Sequence, residues 1–307
     1  MTDTRQWKLS IVIPAYNEQG GLAQVLGPLA ETMPYAEIIV VDDGSSDTTA
    51  QVANACAERW SNIFVYRHRF NRGYGASLKS GMSKARGEYV AWFDADGEHK
   101  VADLVAMYEI ISTQALAAVI AVRTSKSTSM FRGVGKGLIR LLAWLLGLSG
   151  VSDLNCGLRI FRRGIISSYV SLLPDRYSAS MTTTILMLER GYPVAYHPIQ
   201  TETRIGHSKV KPADGFRALA KVLQLVTLFA PMRLFFRPGL AALIVGLLYG
   251  GFVTITARLG FPTAALLLVL GGMLLCILGL IADQISQFRL ELRRSDDLMI
   301  DERDKAP

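Results

Sequence analysis

Cysteine is scarce in this chain. Cys56, Cys156 and Cys276 are odd in number and far apart, which excludes a disulfide framework and any zinc-finger spacing and fits a reduced compartment. The first ten residues, MTDTRQWKLS, contain no long apolar run, so no signal peptide is expected. There is no internal repeat and no low-complexity linker. The basic residues are dispersed and no nucleic-acid-binding motif occurs, so no nucleic-acid partner is expected. Charge is also thin, at 19% of 307 residues, and in two stretches it vanishes.

Those stretches are Gly239 to Ala257 and Thr263 to Ala282. Each is long enough to cross a hydrocarbon core of about 30 Å. They account for a mean hydropathy of +0.27 in a chain that is 50% hydrophobic. The alternative is a pair of buried core helices, but two such runs back to back at the end of an ordinary domain favour a transmembrane hairpin. Arg233 and Arg237 precede the hairpin, Arg289, Arg293 and Arg294 follow it, and only Arg258 lies in the short connection. The positive-inside bias therefore places both flanks, the N-terminal domain and both termini in the cytoplasm. The net charge of +7 suits an anionic partner: a phosphorylated ligand, the lipid bilayer, or both.

Ahead of the hairpin, short apolar runs alternate with helical patterns. Strands are expected at Leu9 to Ile13, Glu37 to Val41, Ile63 to Tyr66, Tyr89 to Phe93 and Ala117 to Val122. Helices are expected at Gln19 to Thr32, about Thr48 to Trp60 (capped by Ser45 or Ser46), Tyr74 to Ala85 and Val101 to Ile111. Such alternation predicts an α/β fold with a mostly parallel sheet covered by helices on both faces. Ligands then sit beyond the carboxyl ends of the strands. The polar clusters fall there: Tyr16-Asn17-Glu18, Asp42-Asp43, Asn71-Arg72, Asp94 to His99, and Arg123. Val134, Leu138, Leu141, Leu142, Leu145 and Leu146 repeat at helical spacing with Arg132, Lys136 and Arg140 between them. Phe216, Leu219, Leu223, Val226 and Ala230 do the same. These two stretches read as basic amphipathic helices, lying on the membrane or packed on their own domain. The expected organisation is a catalytic domain over 1–212 (with an interfacial helix at about 131–147), a juxtamembrane helix over 213–235, the hairpin over 236–284, and a charged tail over 285–307.

The densest chemistry is at Asp94, Asp96 and Glu98, at positions i, i+2 and i+4 past an apolar strand. If strand geometry persists, all three share one face. Three hard oxygen ligands at one point suit Mg²⁺ or Mn²⁺. A solvated acidic turn is the other reading.

Taken together, Ser10–Glu18 (SIVIPAYNE), Val41–Asp47 (VDDGSSD), Asn71–Ala76 (NRGYGA) and Asp94–His99 (DADGEH) resemble a family 2 glycosyltransferase of GT-A, Rossmann-like fold. Asp153–Phe161 (DLNCGLRIF) and Arg204–Lys209 (RIGHSK) resemble its polyprenyl-phosphate branch, which includes the dolichol-phosphate mannose synthases and the bacterial polyprenyl-phosphate glucosyltransferases. The chain departs from the pattern in three places. Gly97-Glu98 stands where Leu-Gln is usual, Lys100 where Pro is common, and Cys156-Gly157-Leu158-Arg159 for Ser-Gly-Phe-Arg.

The resemblance implies a metal-dependent, inverting hexosyltransferase. Its partners would be a nucleotide-sugar donor (UDP- or GDP-linked) and a polyprenyl phosphate acceptor. It assigns Pro14, Tyr16, Glu18, Asp42, Asp43 and Asp94 to the nucleotide, although Asp42-Asp43-Gly44 also reads as a turn. It assigns Asp94, Asp96 and Glu98 to the metal. Arg123, Arg132, Asp153, Arg159, Arg204, Ser208 and Lys209 would serve the phosphates and acceptor, with Asp96, Arg123, Arg204 and Lys209 central to catalysis. Arg132 also reads as a membrane-facing cation, Arg204 to Lys209 as a plain basic loop, and Asp153 as a turn cap. A lipid monophosphate is already anionic at pH 7, so no general base is nominated, and His99 and His207 are read as structural or hydrogen-bonding. Transfer to a lipid or polysaccharide hydroxyl would need a base, with Asp153 the candidate. An inactive membrane scaffold is the reading outside enzymes. Self-association of the spans is expected on packing grounds, with Gly246, Gly250 and Gly251 as the small-residue face.

Overall fold

A computed structural model of the chain describes residues 7–124, 153, 156–175, 179–200, 231–257 and 260–303, with backbone alone at 233 and 289–303. They fall into two compact units.

The first unit is built on a seven-stranded sheet in the order β3-β2-β1-β4-β6-β5-β7. It begins with β1 (Leu9–Ala15), α1 (Gln19–Thr32), β2 (Ala36–Asp42), α2 (Thr49–Arg59) and β3 (Ile63–Arg67). It continues through α3 (Tyr74–Lys84), β4 (Tyr89–Trp92), α4 (Val101–Thr113) and β5 (Ala118–Arg123). All nine elements were expected, with ends shifted by a few residues. β1 and β2 are buried along their whole length, as strands covered on both faces must be. Ile11, Ile13, Ile38 and Val40 meet α1 and α4 on one face, and Val12, Ile39 and Val41 meet α3 on the other. Gly81 allows the α3 contact, because a Cβ there would lie 2.3 Å from Val12.

The second half of this unit carries no clear sequence signal for its elements. After β5 come β6 (Arg159–Arg162), a single helical turn α5 (Arg163–Ile166), a 3-10 stretch (Ser167–Leu172), α6 (Ala179–Glu189) and β7 (Val194–Ile199). β6 inserts between β4 and β5, antiparallel to both, while the other strand pairs run parallel, as expected of a mostly parallel sheet. Each element carries a misleading local signal. β6 has arginines at both ends, α6 has three consecutive threonines with strand preference, and β7 contains Pro198. That proline is tolerated because, among the described residues, β7 is an edge strand paired with β5 alone.

A second correction concerns the start of α2. Neither Ser45 nor Ser46 caps it. Asp47 Oδ1 accepts from the Thr49 N–H at 3.0 Å and from the Thr49 hydroxyl at 2.6 Å. Ser45 Oγ instead accepts from the Asn17 N–H at 3.0 Å.

At the opposite end of the sheet, Glu37 is buried, at 1% exposure. It accepts from Ser10 Oγ at 2.6 Å, from the Arg86 N–H at 2.6 Å and from Arg86 Nε at 2.9 Å. Charge-assisted bonds to a buried carboxylate are strong, and an unsatisfied partner is costly. Glu37→Gln turns a donor toward these donors. It is expected to cost about 2–3 kcal/mol, read as a lower denaturant midpoint for the detergent-solubilised protein.

The second unit contains α7 (Pro231–Ala257) and α8 (Thr263–Arg303) packed as a hairpin. Their apolar spans are Leu234–Ala257 and Thr263–Phe288, and only 11% and 17% of the most apolar windows are buried. A soluble core helix would be mostly buried, so these helices present an apolar surface suited to lipid. α7 starts earlier than the expected span and runs through Pro238. α8 continues unbroken into the charged tail. The glycines read as a self-association face are partly used inside the hairpin. Gly246 packs on Leu268 and Val269, and Gly250 on Phe261, whereas a Cβ at Gly251 would meet nothing within 4 Å. The amphipathic stretch at 131–147 and most of that at 213–235 lie outside the described residues.

Candidate active site

In this sheet, β2 lies on one side of β1 and β4 on the other. The chain order therefore reverses between β1 and β4, and the crevice beyond their carboxyl ends is where such folds bind ligands. Tyr16-Asn17-Glu18 leaves β1 there and Asp94–His99 leaves β4. Pro14 is the penultimate residue of β1. Tyr16 is 37% exposed. Asn17 adopts a left-handed φ of 55°, and its Oδ1 accepts from the Ser46 N–H at 2.9 Å. The Glu18 N–H donates to Thr49 Oγ1 at 3.0 Å. The loops after β1 and β2 are thus tied together. Gly21, in the first turn of α1, lets that helix press onto the acidic loop, since a Cβ there would lie 2.3 Å from the Ala95 carbonyl oxygen.

Asp42 and Asp43 stand at the end of β2, but both are turned inward, at 0% and 3% exposure. Asp42 Oδ1 accepts from the Ser45 N–H at 2.9 Å, and Arg67 Nε lies 3.0 Å from Oδ2. Asp43 Oδ1 accepts from the Arg72 N–H at 2.9 Å and lies 2.7 Å from His68 Nδ1. Its Oδ2 accepts from the Gly73 N–H at 2.7 Å. His68 Nε2 is in turn 2.9 Å from Ser80 Oγ on α3. Asp43 therefore organises the Asn71–Gly73 loop rather than presenting an open carboxylate to a base. No local signal marked His68 for this role.

The three acids after β4 do not converge. Asp94 Oδ1 accepts from the Tyr74 hydroxyl at 2.9 Å, and Oδ2 lies 3.3 Å from His99 Nε2. Asp96, at 7% exposure, accepts from the Glu98 N–H at 3.1 Å. Glu98 turns the other way, to Arg123 Nη1 at 3.2 Å. The turn at Gly97 (φ 75°) breaks the alternation that would have kept the acids on one face. Among the described residues no three acidic, imidazole or thiol groups are arranged to hold an ion. Asp94 and Asp96 alone still fit Mg²⁺ or Mn²⁺, which commonly take one or two carboxylates and complete their shell with substrate phosphates and water. Burial pulls the His99 imidazole down, but its hydrogen bond to Asp94 and the charges of Asp94, Glu98 and Asp96 outweigh this and leave its pKa raised.

Arg123, at the end of β5, bridges two segments. It grips Asp153 with Nε at 2.7 Å and Nη2 at 3.3 Å, and Glu98 with Nη1. The Asp153 hydrogen bond is the main reason its pKa lies above the usual arginine value. Arg159, expected at the acceptor phosphate, lies inside the domain at 0% exposure. Its Nε donates to the Cys156 carbonyl at 2.8 Å, and its Nη1 to Thr183 Oγ1 at 3.1 Å and Thr184 Oγ1 at 2.6 Å. Burial lowers its pKa to about 10. This is a packing role joining β6 to α6, with no open face for a phosphate. Tyr74 and Gly157 sit within motifs visible in the sequence, but their contacts with Asp94 were not legible there. Arg132, Arg204, Ser208 and Lys209 lie outside the described residues.

Residues 10–170 match the family model described as glycosyl transferase family 2, and residues 230–288 match that of the GtrB C-terminal hairpin. The hairpin match and the two apolar helices support a membrane-anchored protein. The chain is 34% identical over 184 residues to the dolichyl-phosphate beta-glucosyltransferase ALG5D of Trichomonas vaginalis, covering 52% of this chain and 55% of that one. It therefore spans about half the length of the dolichyl-phosphate relatives it matches. It is 29% identical over 271 residues to the undecaprenyl-phosphate 4-deoxy-4-formamido-L-arabinose transferase of Pseudomonas fluorescens, covering 82% and 74%. Among solved structures, glucosyl-3-phosphoglycerate synthase from Mycobacterium tuberculosis in complex with Mn²⁺, UDP-glucose and phosphoglyceric acid superimposes with a TM-score of 0.56. That match has 18% identity and covers 71% of this chain and 78% of that one. At that identity it speaks for the fold alone.

Proposed function

Because the chain belongs to glycosyl transferase family 2, we propose that it transfers a hexose, with inversion, from a nucleotide-diphosphate sugar to a polyprenyl phosphate at the cytoplasmic membrane face. The observation that carries this reading is the meeting, at the β1/β4 crevice, of the Asp94 and Asp96 carboxylates with the loop that engages the Arg123 guanidinium. Carboxylates on one short loop, with a guanidinium from the end of β5 paired to that loop, suit a metal-bound diphosphate facing a second phosphate. The names of the dolichyl- and undecaprenyl-phosphate relatives support the acceptor class, and the apolar hairpin supports a membrane-anchored protein, as a lipid acceptor requires. The arginine distribution around the spans supports the cytoplasmic orientation.

The chemistry needs little proton handling. An oxygen of the acceptor phosphate attacks the anomeric carbon, and the bond from that carbon to the nucleoside diphosphate breaks with its electron pair on the leaving oxygen. The acceptor is already ionised, so no base is required. Mg²⁺ or Mn²⁺ held by Asp94 and Asp96 would neutralise charge on the departing diphosphate. Arg123, paired with Asp153 and Glu98, would act by holding the acidic loop in place, while Arg132, Arg204, Ser208 and Lys209 would meet the acceptor and donor phosphates and restrain their repulsion. Tyr16 offers a ring to the base, with Pro14 and Glu18 beside it. Asp42 and Asp43 act on the nucleotide through the loops they hold.

Transfer to a hydroxyl is disfavoured by one contact. Asp153, the candidate base from the sequence, is clasped by Arg123 through both of its oxygens, and a carboxylate paired with a guanidinium is a weak proton acceptor. The test is a donor screen on the full-length protein in detergent with undecaprenyl phosphate and Mn²⁺ or Mg²⁺, following radiolabelled sugar into the organic phase. Label from one nucleotide sugar, lost on chelation and released by mild acid, is the expected result. An acid-stable product would overturn the phosphate acceptor. No nucleotide binding with Mn²⁺ present would leave an inactive scaffold.

A further inference from the structure

The Asp94 carboxylate is held from three separate parts of the chain. The Tyr74 hydroxyl, from the first turn of α3, donates to Oδ1 at 2.9 Å. His99 Nε2 stands 3.3 Å from Oδ2. Behind the carboxylate, Gly157 lies so close that a Cβ there would be 2.0 Å from Oδ2. Gly75 helps bring Tyr74 to this position, because a Cβ at 75 would lie 1.9 Å from the Pro174 carbonyl oxygen. Part of the Tyr74 ring reaches the surface. Its phenolic O–H is the donor in this contact, because an ionised carboxylate can only accept.

An aspartate just past a strand end has two side-chain torsions free to turn. A cation that needs one rotamer pays for that freedom unless neighbours have already removed it. Partners that orient a ligating carboxylate are worth about 10–100-fold in metal affinity. The ring of Tyr74 packs whether or not its hydroxyl is present, so the hydroxyl's contribution can be separated from that of the ring.

We infer that Tyr74 is a positioning residue whose hydroxyl fixes Asp94 in the rotamer that receives the divalent cation, with Gly157 as the floor beneath it. This rests on the reading of Asp94 as a metal ligand given above.

The test uses the full-length protein in detergent with Mn²⁺ as the probe, alone and with UDP or GDP, followed by the electron paramagnetic resonance signal of free Mn²⁺. Tyr74→Phe is expected to weaken Mn²⁺ binding about tenfold and to raise the Mn²⁺ concentration for half-maximal transfer by the same factor. The rate at saturating Mn²⁺ should change much less. Gly157→Ala, which pushes on the carboxylate instead of releasing it, should also weaken binding. In an Asp94→Asn background Tyr74→Phe should have no further effect, because a residue acting through Asp94 couples fully to it. A general packing defect would instead add to the Asp94→Asn loss, which would overturn the proposal even if Tyr74→Phe alone weakened binding. Unchanged Mn²⁺ affinity in Tyr74→Phe would overturn positioning and leave the metal reading standing. No Mn²⁺ binding by the wild type, with or without nucleotide, would overturn both.

Discussion

Asp96→Ala is expected to lower kcat/KM for sugar transfer about 10³-fold, close to 4 kcal/mol of transition-state stabilisation. Asp96 sits at the centre of the acidic loop, at 7% exposure, with its carboxylate also accepting from the Glu98 N–H. On the proposed function, losing it would remove one of two hard ligands and leave the diphosphate charge poorly neutralised as the bond to the sugar breaks. Because the hydrogen bond it makes to Glu98 is local to the loop, the fold should survive. The melting midpoint without metal should stay near wild type while Mn²⁺ ceases to stimulate transfer. A variant that keeps full activity and responds to chelator as the wild type does would remove Asp96 from the metal site.

Asp43→Ala should act differently, through structure first. Its carboxylate receives two backbone N–H groups, from Arg72 and Gly73, and faces His68 Nδ1 at 2.7 Å. Truncation strands these donors in a buried place, at a cost of about 3–5 kcal/mol. Gly44 (φ 71°) packs against the backbone of Phe70, so the Asn71–Gly73 loop has no alternative seat nearby. We expect a large fall in denaturation midpoint together with weaker nucleotide binding, and a milder form of both for Asp43→Asn, which keeps one acceptor oxygen. Wild-type stability with selective loss of nucleotide affinity would instead make Asp43 a direct ligand of the base.

These two carboxylates show how far the sequence reached. Both lie in motifs whose order and spacing marked them, and both stand at the carboxyl end of the predicted strand. Their roles differ because of partners that no local pattern reveals. Asp43 meets Arg72 and Gly73 from 29 and 30 positions away. Glu98 meets Arg123 from 25 positions away, and that pairing, with the turn at Gly97, undid the expected three-acid cluster. The late elements were missed because arginines at the ends of β6, a threonine run in α6 and Pro198 in β7 each argue locally for something else. Tertiary burial overrides those preferences.

The sequence by itself determined the fold class, the first nine elements, the apolar hairpin and the end of the sheet on which the polar groups gather. Those properties follow from period, hydrophobicity and turn residues, which act over a few neighbouring positions. Only the tertiary structure decided that β6 runs antiparallel between β4 and β5, that Arg159 is buried in packing, that Arg123 is clasped by Asp153 and Glu98, and that Tyr74 and Gly157 hold Asp94. A side chain's direction and charge environment are set by whatever the fold brings beside it, and here those neighbours come from distant parts of the chain.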